Sequence, residues 1–127
     1  MEVISTGSGP ALPFSPGLKV NGFVFLSGQG GFVPGTGKLA GETIEEQTEQ
    51  TLRNVQALLE RAGCGLSDAV SCLVHLADLS HFARFNAVYA RHFAPPQPVR
   101  TTVGAPLVFG MLVEITVVAR VPEPGSR

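Results

Sequence analysis

Six short segments of the chain are rich in apolar and β-branched residues, and this pattern predicts β-strands. The predicted strands cover residues 3–5, 17–20, 23–27, 69–76, 100–103 and 112–121. The dipeptide Asn21-Gly22 joins the second and third strands and is a strong signal for a tight β-hairpin. Residues 9–16 and 28–41 are rich in glycine and proline, so we expect both segments to be loops.

A longer segment with helical periodicity begins at Thr43. The residues Thr43-Ile-Glu-Glu46 match a capping box, in which Thr43 caps the helix and the Glu46 side chain reaches back to the Thr43 backbone. Six apolar residues then share one helical face: Ile44, Leu52, Val55, Leu58, Leu59 and Ala62. Gly63 is the predicted end of this amphipathic helix.

A second helix with an aromatic face is predicted near residue 80. Either Asp78 or Ser80 can cap its first turn. Its apolar face consists of four aromatic residues: Phe82, Phe85, Tyr89 and Phe93. Three prolines then exclude further helix: Pro95, Pro96 and Pro98.

These elements run in the order β-β-β-α-β-α-β-β, which predicts an α+β fold with two helices and about six strands. Two helices can cover only one face of such a sheet. The last strand is nevertheless apolar on both sides: Val113, Ile115, Val117 and Ala119 on one, Leu112 and Val118 on the other. In strand 69–76, Leu73 opposes Val70 and Val74 in the same way. An apolar face without a helix must contact another sheet or another subunit, so we expect an oligomer.

Composition narrows the class of protein. A chain of 127 residues fits one domain, which we expect to span residues 1–127. Only 15% of the residues are charged, which agrees with a surface partly covered by other subunits. The net charge of −1 lacks the basic footprint of a nucleic-acid-binding protein. No apolar run is long enough to span a membrane, and residues 1–10 do not resemble a signal peptide, so we expect a cytoplasmic protein.

The residue types of common catalytic centres form no recognisable motif here. Cys64 and Cys72 lack the spacing of a metal or redox motif, and we interpret them as a loop residue and a small strand residue. The chain has three histidines, none at the i, i+4 spacing of a metal pair: His75 in a strand, and His81 and His92 in the second helix. The glycine-rich segment 27–31 does not match a nucleotide-binding loop. We therefore expect neither a metal nor a cofactor.

Two charged residues stand in unusual places. Glu114 interrupts the most apolar strand, where a carboxylate is costly unless it has a partner or a function. Arg100 begins a strand directly after a proline-rich segment. If neighbouring strands bring the two side chains within reach, they form a structural ion pair. Alternatively, Arg100 binds the carboxylate of a small molecule through two parallel hydrogen bonds. Spacing alone leaves both interpretations open.

From Val3 to about Val121 the sequence resembles the reactive intermediate deaminase (Rid) family. The resemblance rests on the order and spacing of short stretches: Val3-Ile-Ser-Thr6, Leu26-Ser-Gly-Gln29, Leu52-x-Asn54-Val55 with Ala62-Gly63, Ala77-Asp-Leu79 with Phe82, Asn86-x-x-Tyr89-x-x-x-Phe93, Pro98-Val-Arg-Thr101 and Val113-Glu-Ile115. It implies a chorismate-mutase-like fold and a homotrimer with three active sites between subunits.

The resemblance also implies roles for individual residues. Arg100 matches the arginine that binds the substrate carboxylate, and Glu114 matches the acid that handles the hydrolytic water. Ser27 and Gly28 match residues that line the site, and Asn86 matches a supporting position on the second helix. By this resemblance, all five residues belong to one site for a small imino or keto acid.

The chain departs from the family pattern at two site positions. Phe14 replaces a usual tyrosine, and Thr102 replaces a usual cysteine whose backbone carbonyl is the part that the chemistry needs. The implied activity is cofactor-free hydrolysis of 2-imino or enamine acids, such as 2-aminoacrylate and 2-iminobutyrate, to 2-keto acids and ammonia. The alternatives are a non-catalytic trimer that binds small carboxylates and a ribonuclease or translation inhibitor, names that family members also carry.

Overall fold

The computed structural model describes residues 1–7 and 11–124, so residues 9 and 10 of the predicted loop 9–16 lie outside the described part. Its helices and strands occur in the following order: β1 (Glu2–Ile4), β2 (Gly17–Val20), β3 (Phe23–Leu26), β4 (Phe32–Val33), β5 (Lys38–Leu39), α1 (Ile44–Arg61), β6 (Ala69–Leu76), α2 (Phe82–Tyr89), β7 (Val99–Gly104) and β8 (Val113–Arg120). The predicted α+β class is confirmed, and the six predicted strands are present with bounds that differ by one residue at most.

Six strands form one mixed sheet in the order β1-β2-β3-β8-β6-β7. Neighbouring strands are antiparallel except β6 and β7, which run parallel. The β2–β3 hairpin turns at Asn21 and Gly22, whose positive φ angles of 51° and 80° fit the predicted tight turn. β7 lies at one edge of the sheet, and its outer side pairs with no strand of the described chain.

Segment 28–41, which we expected to be a loop throughout, contains a small hairpin. Its strands β4 and β5 pair through Phe32 with Leu39 and through Val33 with Lys38. Strands of two residues are too short to show an alternating pattern, and the surrounding glycines and prolines hide them in the sequence. The expectation of an uninterrupted loop was wrong.

α1 begins at the predicted capping box. The Thr43 hydroxyl accepts a hydrogen bond from the Glu46 backbone N–H at 3.1 Å, and the Glu46 carboxylate accepts one from the Thr43 N–H at 3.3 Å. Ala62 is the C-cap, and Gly63 adopts a left-handed φ of 82° as expected for a helix end. The Lys19 ammonium group donates to the Ala62 carbonyl at 3.2 Å and so joins β2 to the end of α1.

α2 is shorter than the predicted aromatic helix and is flanked by two 3-10 turns. Asp78 caps the first turn, Leu79–His81, by accepting a hydrogen bond from the Ser80 backbone N–H. The second turn, Ala90–His92, follows α2 directly. His81 and His92 therefore lie in these turns and not inside the helix, because the chain tightens to 3-10 geometry at both ends.

Both helices pack on the same face of the sheet and enclose the hydrophobic core. The strand residues of this core are Ile4, Val24, Leu26, Cys72, Val74, Leu76, Val113, Ile115, Val117 and Ala119. We call the other side the open face. Six of its apolar residues are 37% or more exposed: Val3, Phe23, Phe25, Leu73, Val99 and Val103. The predicted apolar face without a helix over it is therefore present, and such a patch is typical of an interaction surface.

The alternation of β6 breaks at its first residues. A β-bulge lies between Ala69 and Ser71, opposite β8. Because a bulge inserts one extra residue, Ala69 and Cys72 are both buried although they are three residues apart. Val70 is 40% exposed and does not share the buried face of Val74, contrary to our expectation. The predicted opposition of Leu73 and Val74 is confirmed.

Candidate functional site

The predicted site residues fall into two groups on different parts of the sheet. The first, which we call the glutamate group, lies around the end of β3 and the start of β8: Phe14, Ser27, Gly28 and Glu114. The second, which we call the arginine group, lies on the edge strand β7 and on α2: Asn86, Arg100 and Thr102.

Within the glutamate group, the backbone holds residues 27–29 close to β8. Gln29 and Ile115 exchange two backbone hydrogen bonds, of 2.9 and 3.0 Å. A Cβ atom added to Gly28 would lie 2.6 Å from the Glu114 carboxyl carbon, so a glycine is needed for Glu114 to occupy this position. The Ser27 hydroxyl donates to the Ser15 carbonyl at 2.7 Å, and this bond fixes the segment next to Phe14.

A cavity of about 650 Å³ opens beside this group, and Phe14, Gly28 and Glu114 line it. Much of the remaining wall is apolar: Leu12, Phe32, Pro34, Val108, Phe109 and Met111. The Glu114 carboxylate is thus a charged group at the side of a largely apolar cavity. This arrangement suits a small ligand with one polar end, since ligand sites typically combine apolar walls with a few placed polar groups.

Asn54 of α1 also lines this cavity and was not predicted as a site residue. Its side-chain amide donates to the carbonyls of Gly30 and Phe32 at 2.9 and 2.8 Å. Asn54 therefore holds the glycine-rich segment that carries the cavity wall. The sequence contained one signal for this role, because Asn54 belongs to a stretch that resembles the Rid family. Its partners lie 22 and 24 residues away, so local patterns did not identify them.

His75 is the nearest ionisable neighbour of Glu114. The two residues face each other directly on β6 and β8, with 3.9 Å between His75 Nδ1 and Glu114 Oε1. Both side chains are partly buried, with exposed fractions of 26% and 29%. Within the described residues, His75 Nδ1 is buried and has no hydrogen-bond partner.

In the arginine group, Arg100 lies against the aromatic face of α2. Its guanidinium carbon is 4.8 Å from the ring centre of Tyr89, 5.5 Å from that of Phe85 and 5.6 Å from that of Phe82. Aromatic rings at these distances attract the guanidinium cation through their faces. They leave its N–H donors unused, whereas a carboxylate would occupy two of them. Arg100 makes no ion pair within residues 1–7 and 11–124, so its donors remain available for an anion.

The surroundings of Arg100 are poorly hydrated. Burial raises the pKa of Tyr89 well above its usual value, and the neighbouring Cys72 thiol raises it further. Burial also raises the pKa of Cys72, which lies opposite Arg100 in the β6–β7 register. The Tyr89 hydroxyl and the Cys72 thiol, which would become anions on losing a proton, are thus kept neutral beside the guanidinium of Arg100. An anionic ligand there would meet the positive charge in a region of low dielectric constant, which strengthens their attraction.

The other two members of the arginine group are less well defined. Asn86 lies on α2, and its Oδ1 atom is buried without a hydrogen-bond partner in the described chain. Thr102 pairs with Val74 and lies on the same side of β7 as Arg100, two residues further along. Both residues are partly buried.

The two groups do not meet within one chain. β6 lies between β7 and β8, Arg100 pairs with Cys72, and Glu114 pairs with His75. Arg100 therefore extends to the helix-covered face and Glu114 to the open face. Their Cα positions are two strands and three residues apart, which corresponds to roughly 14 Å. Of the two interpretations left open by the sequence, the structural ion pair is therefore not present within a single chain.

Other parts of the described chain offer fewer functional features. A second cavity, of about 520 Å³, lies at the other end of the sheet, and none of the predicted site residues lines it. Residues 1–7 and 11–124 contain no cluster of three histidine, cysteine or acidic side chains that could hold a metal ion. No helix in this part of the chain has the length and apolar character needed to cross a bilayer.

Comparison with known proteins gives consistent matches. The family model described as Endoribonuclease L-PSP matches residues 6–121. Reactive Intermediate Deaminase A, chloroplastic, of Arabidopsis thaliana is 44% identical over 80% of this chain, which spans only 55% of that relative's length. A RutC family protein of Saccharolobus solfataricus is 41% identical over 94% of this chain and 97% of its own.

Solved structures agree with the fold described above. RidA from a Psychrobacter species has a TM-score of 0.88 at 37% identity, covering 94% of this chain and 99% of its own. Escherichia coli TdcF, solved with bound serine, has a TM-score of 0.86 at 29% identity, covering 94% of this chain and 98% of its own.

Proposed function

Because the chain belongs to the Endoribonuclease L-PSP family, which includes proteins named reactive intermediate deaminases, we propose that it hydrolyses 2-imino acids or their enamines to 2-keto acids and ammonia. The observation that carries the proposal is Arg100, whose guanidinium lies on three aromatic rings with no carboxylate partner in the described chain. A guanidinium held in this way suits the carboxylate of a small acid. No cofactor takes part in the proposed reaction.

The complete site requires two subunits. Arg100 and Glu114 lie on opposite faces of the sheet, so the site combines the arginine group of one subunit with the glutamate group of another. The apolar open face and the unpaired edge of β7 support contact between copies of the chain. We propose a homotrimer with three such sites, since rotational symmetry repeats the same contact at each interface.

The reaction needs few groups because the carbon of a protonated imine is already electrophilic. Arg100 binds the carboxylate and orients the C=N bond toward Glu114. The oxygen of a water molecule attacks the carbon, its proton passes to the Glu114 carboxylate, and the π electrons move to nitrogen, which gives a carbinolamine. Glu114 returns this proton to the amino group. The C–N bond then breaks with its electrons on ammonia, and the hydroxyl proton leaves with it as ammonium. General acid–base help of this kind is typically worth about 10²–10⁴-fold.

The remaining site residues have supporting roles in this proposal. Ser27 and Gly28 form the wall beside Glu114, and Thr102 offers its backbone carbonyl to the leaving nitrogen. Asn86 supports the arginine group from α2. Phe14 lies on the apolar side of the cavity, where it contacts the substrate side chain and lacks the hydroxyl of the usual tyrosine. The serine bound to Escherichia coli TdcF supports a small amino-acid-like ligand.

The proposal is tested by ammonia release from 2-iminobutyrate or 2-aminoacrylate generated in situ. Arg100→Ala abolishes turnover because it removes the guanidinium that binds the carboxylate, and Arg100→Lys restores little because an ammonium lacks the planar pair of donors. Glu114→Gln keeps the shape of the side chain but loses the proton acceptor, so it binds 2-keto acids while kcat falls by about 10²-fold or more.

Melting temperature distinguishes these roles from purely structural ones. The variants at Arg100 and Glu114 unfold within a few degrees of the wild-type protein. The catalytic assignment is wrong if they melt much earlier yet keep wild-type turnover at low temperature. A chain that binds 2-keto acids but releases no ammonia is instead a non-catalytic binding protein.

Ribonuclease activity is the second candidate, because the matching family model carries the name Endoribonuclease L-PSP. A net charge of −1 gives the chain no general attraction for RNA. RNA cleavage that co-purifies with the protein and is lost in Arg100→Ala would favour this candidate over imine hydrolysis.

We propose a cytoplasmic location, although the Arabidopsis relative is named chloroplastic.

A further inference from the structure

His75 is an ionisable residue beside Glu114 that the proposed mechanism does not use. Its Nδ1 atom is buried, has no hydrogen-bond partner among the described residues and lies 3.9 Å from the Glu114 carboxylate. A buried nitrogen without a partner is unfavourable unless a nearby group satisfies it. Glu114 faces it directly across the β6–β8 ladder, so a small rotation of either side chain closes a hydrogen bond.

The geometry points to His75 as a positioning residue that orients the Glu114 carboxylate. This inference rests on the proposed hydrolytic role of Glu114. A carboxylate with one oxygen held by an imidazole keeps its other oxygen directed at the attacking water. The open face also lies where we propose that a second subunit docks. Docking removes water from the pair and strengthens a hydrogen bond between His75 and Glu114.

Few other charges act on this pair. Among the described strand residues of the open face, the remaining ionisable side chain is Arg120, which lies 3.5 Å from Glu123 at the far end of β8. Arg120 is six residues from Glu114, about 20 Å along the strand. On β7 the residue opposite His75 is the uncharged Val103. Both helices lie on the other side of the sheet. Among the described strand residues of the open face, His75 is therefore the ionisable side chain placed to orient Glu114.

Two variants of His75 test the orienting contact. His75→Phe removes the ring nitrogens and lowers kcat for imine hydrolysis by roughly tenfold. KM stays near the wild-type value, because the substrate carboxylate still binds Arg100. His75→Asn keeps an N–H donor near the position of Nδ1, so it recovers most of kcat.

His81→Phe is the matched control, because His81 also lies 3.9 Å from a carboxylate, that of Asp78, and belongs to neither the glutamate group nor the arginine group. Its kcat stays at the wild-type value. A second readout does not depend on catalysis. In nitrogen-15 NMR spectra of the three imidazoles, Glu114→Gln shifts the Nδ1 signal of His75 and leaves that of His81 in place.

The outcomes separate this inference from the proposed function. If the wild-type protein releases no ammonia, the proposed function fails, and the NMR comparison still tests the pairing. If the wild-type protein is active but His75→Phe keeps its kcat, the role of His75 is wrong while the function stands. A His75 Nδ1 signal that is identical in wild type and Glu114→Gln also overturns the pairing.

Discussion

The absence of a side chain at Gly28 makes room for the Glu114 carboxylate in the candidate site. The segment after β3 passes so close to Glu114 that a Cβ on Gly28 would lie 2.6 Å from the carboxyl carbon and 2.9 Å from Oε2. The displaced atoms belong to the side chain that we propose as the proton acceptor. Any larger residue at this position therefore moves the carboxylate rather than the strand, which the Gln29–Ile115 hydrogen bonds hold in place.

We predict that Gly28→Ala lowers kcat for imine hydrolysis by about 10²-fold, because displacing a catalytic group by about 1 Å has effects of this size. The protein still folds, since the clash involves a partly exposed side chain. Gly65→Ala is the control, because its added Cβ is 4.0 Å from the nearest atom, Ser67 Oγ. Steady-state kinetics and thermal unfolding of both variants test the prediction, and equal activity of the two would contradict it.

At the scale of whole elements, α1 is joined to the turn after α2 by a polar contact. His92 Nε2 lies 2.9 Å from Glu49 Oε1, and Arg53 Nε donates to Glu49 Oε2 at 3.1 Å. The hydrogen bond with His92 lowers the pKa of Glu49, and Arg53 lowers it further, while partial burial opposes both. This contact holds the two helices in a fixed relation, and α2 in turn carries the aromatic rings behind Arg100.

The lowered pKa of Glu49 predicts a dependence of stability on pH. A carboxyl group whose pKa is lower in the folded state stabilises the protein above its unfolded pKa, and this contribution is lost as the pH falls through the folded pKa. Glu49→Gln therefore reduces the free energy of unfolding near pH 7, by about 1 kcal/mol at most because the pair is partly exposed. The difference in the free energy of unfolding between wild type and Glu49→Gln disappears at acid pH, where the protonated Glu49 side chain is as uncharged as the glutamine that replaces it.

Urea unfolding between pH 3 and 7 measures this effect. Glu42→Gln is the control, because Glu42 is exposed and makes no hydrogen bond or ion pair within the described chain. If the difference in the free energy of unfolding between wild type and Glu49→Gln stays constant from pH 7 down to pH 3, the charge on Glu49 does not contribute to stability.

The elements themselves were largely predictable from local patterns. The Thr43–Glu46 capping box, the Asn21-Gly22 turn and the end of α1 at Gly63 all involve residues at most four positions apart, and all are confirmed. The bulge near Ala69 was not predictable, because it depends on how β6 pairs with a strand about fifty residues later. The same holds for the contact of His75, whose partner follows from strand order and register, and for that of Asn54, which depends on how α1 packs against the glycine-rich segment.

The candidate site was predictable only as a set of residues. Glu114 and Arg100 were identifiable because charges interrupt or begin apolar strands, and a resemblance to a family suggested their roles. Their relative position was not, since the sequence does not state that β6 separates β7 from β8. Because of that separation, Arg100 and Glu114 form no ion pair within one chain, and the arginine group and the glutamate group lie on different faces of the sheet.

In the whole molecule, the arginine group and the glutamate group can come together only when two copies of the chain assemble. The open face exposes apolar residues on four of the six strands of the sheet, β1, β3, β6 and β7, and Glu114 lies on this face. Arg100 lies on the edge strand, where a neighbouring subunit can approach. A trimer would bury part of this surface and bring each arginine group next to the glutamate group of another copy. Light scattering should then report three times the 13.3 kDa mass of the chain.

Complementation between two inactive variants tests the shared site most directly. Arg100→Ala and Glu114→Gln chains carrying different tags are co-expressed, and the mixed oligomers that carry both tags are purified. Ammonia release from 2-iminobutyrate generated in situ is then measured, with each variant alone as the control. If each site takes Arg100 and Glu114 from different subunits, the purified mixed trimers recover about a third of wild-type activity, because one of the three sites in every mixed trimer joins two intact residues. Mixed oligomers of confirmed composition that are no more active than either variant alone would contradict a site shared between subunits.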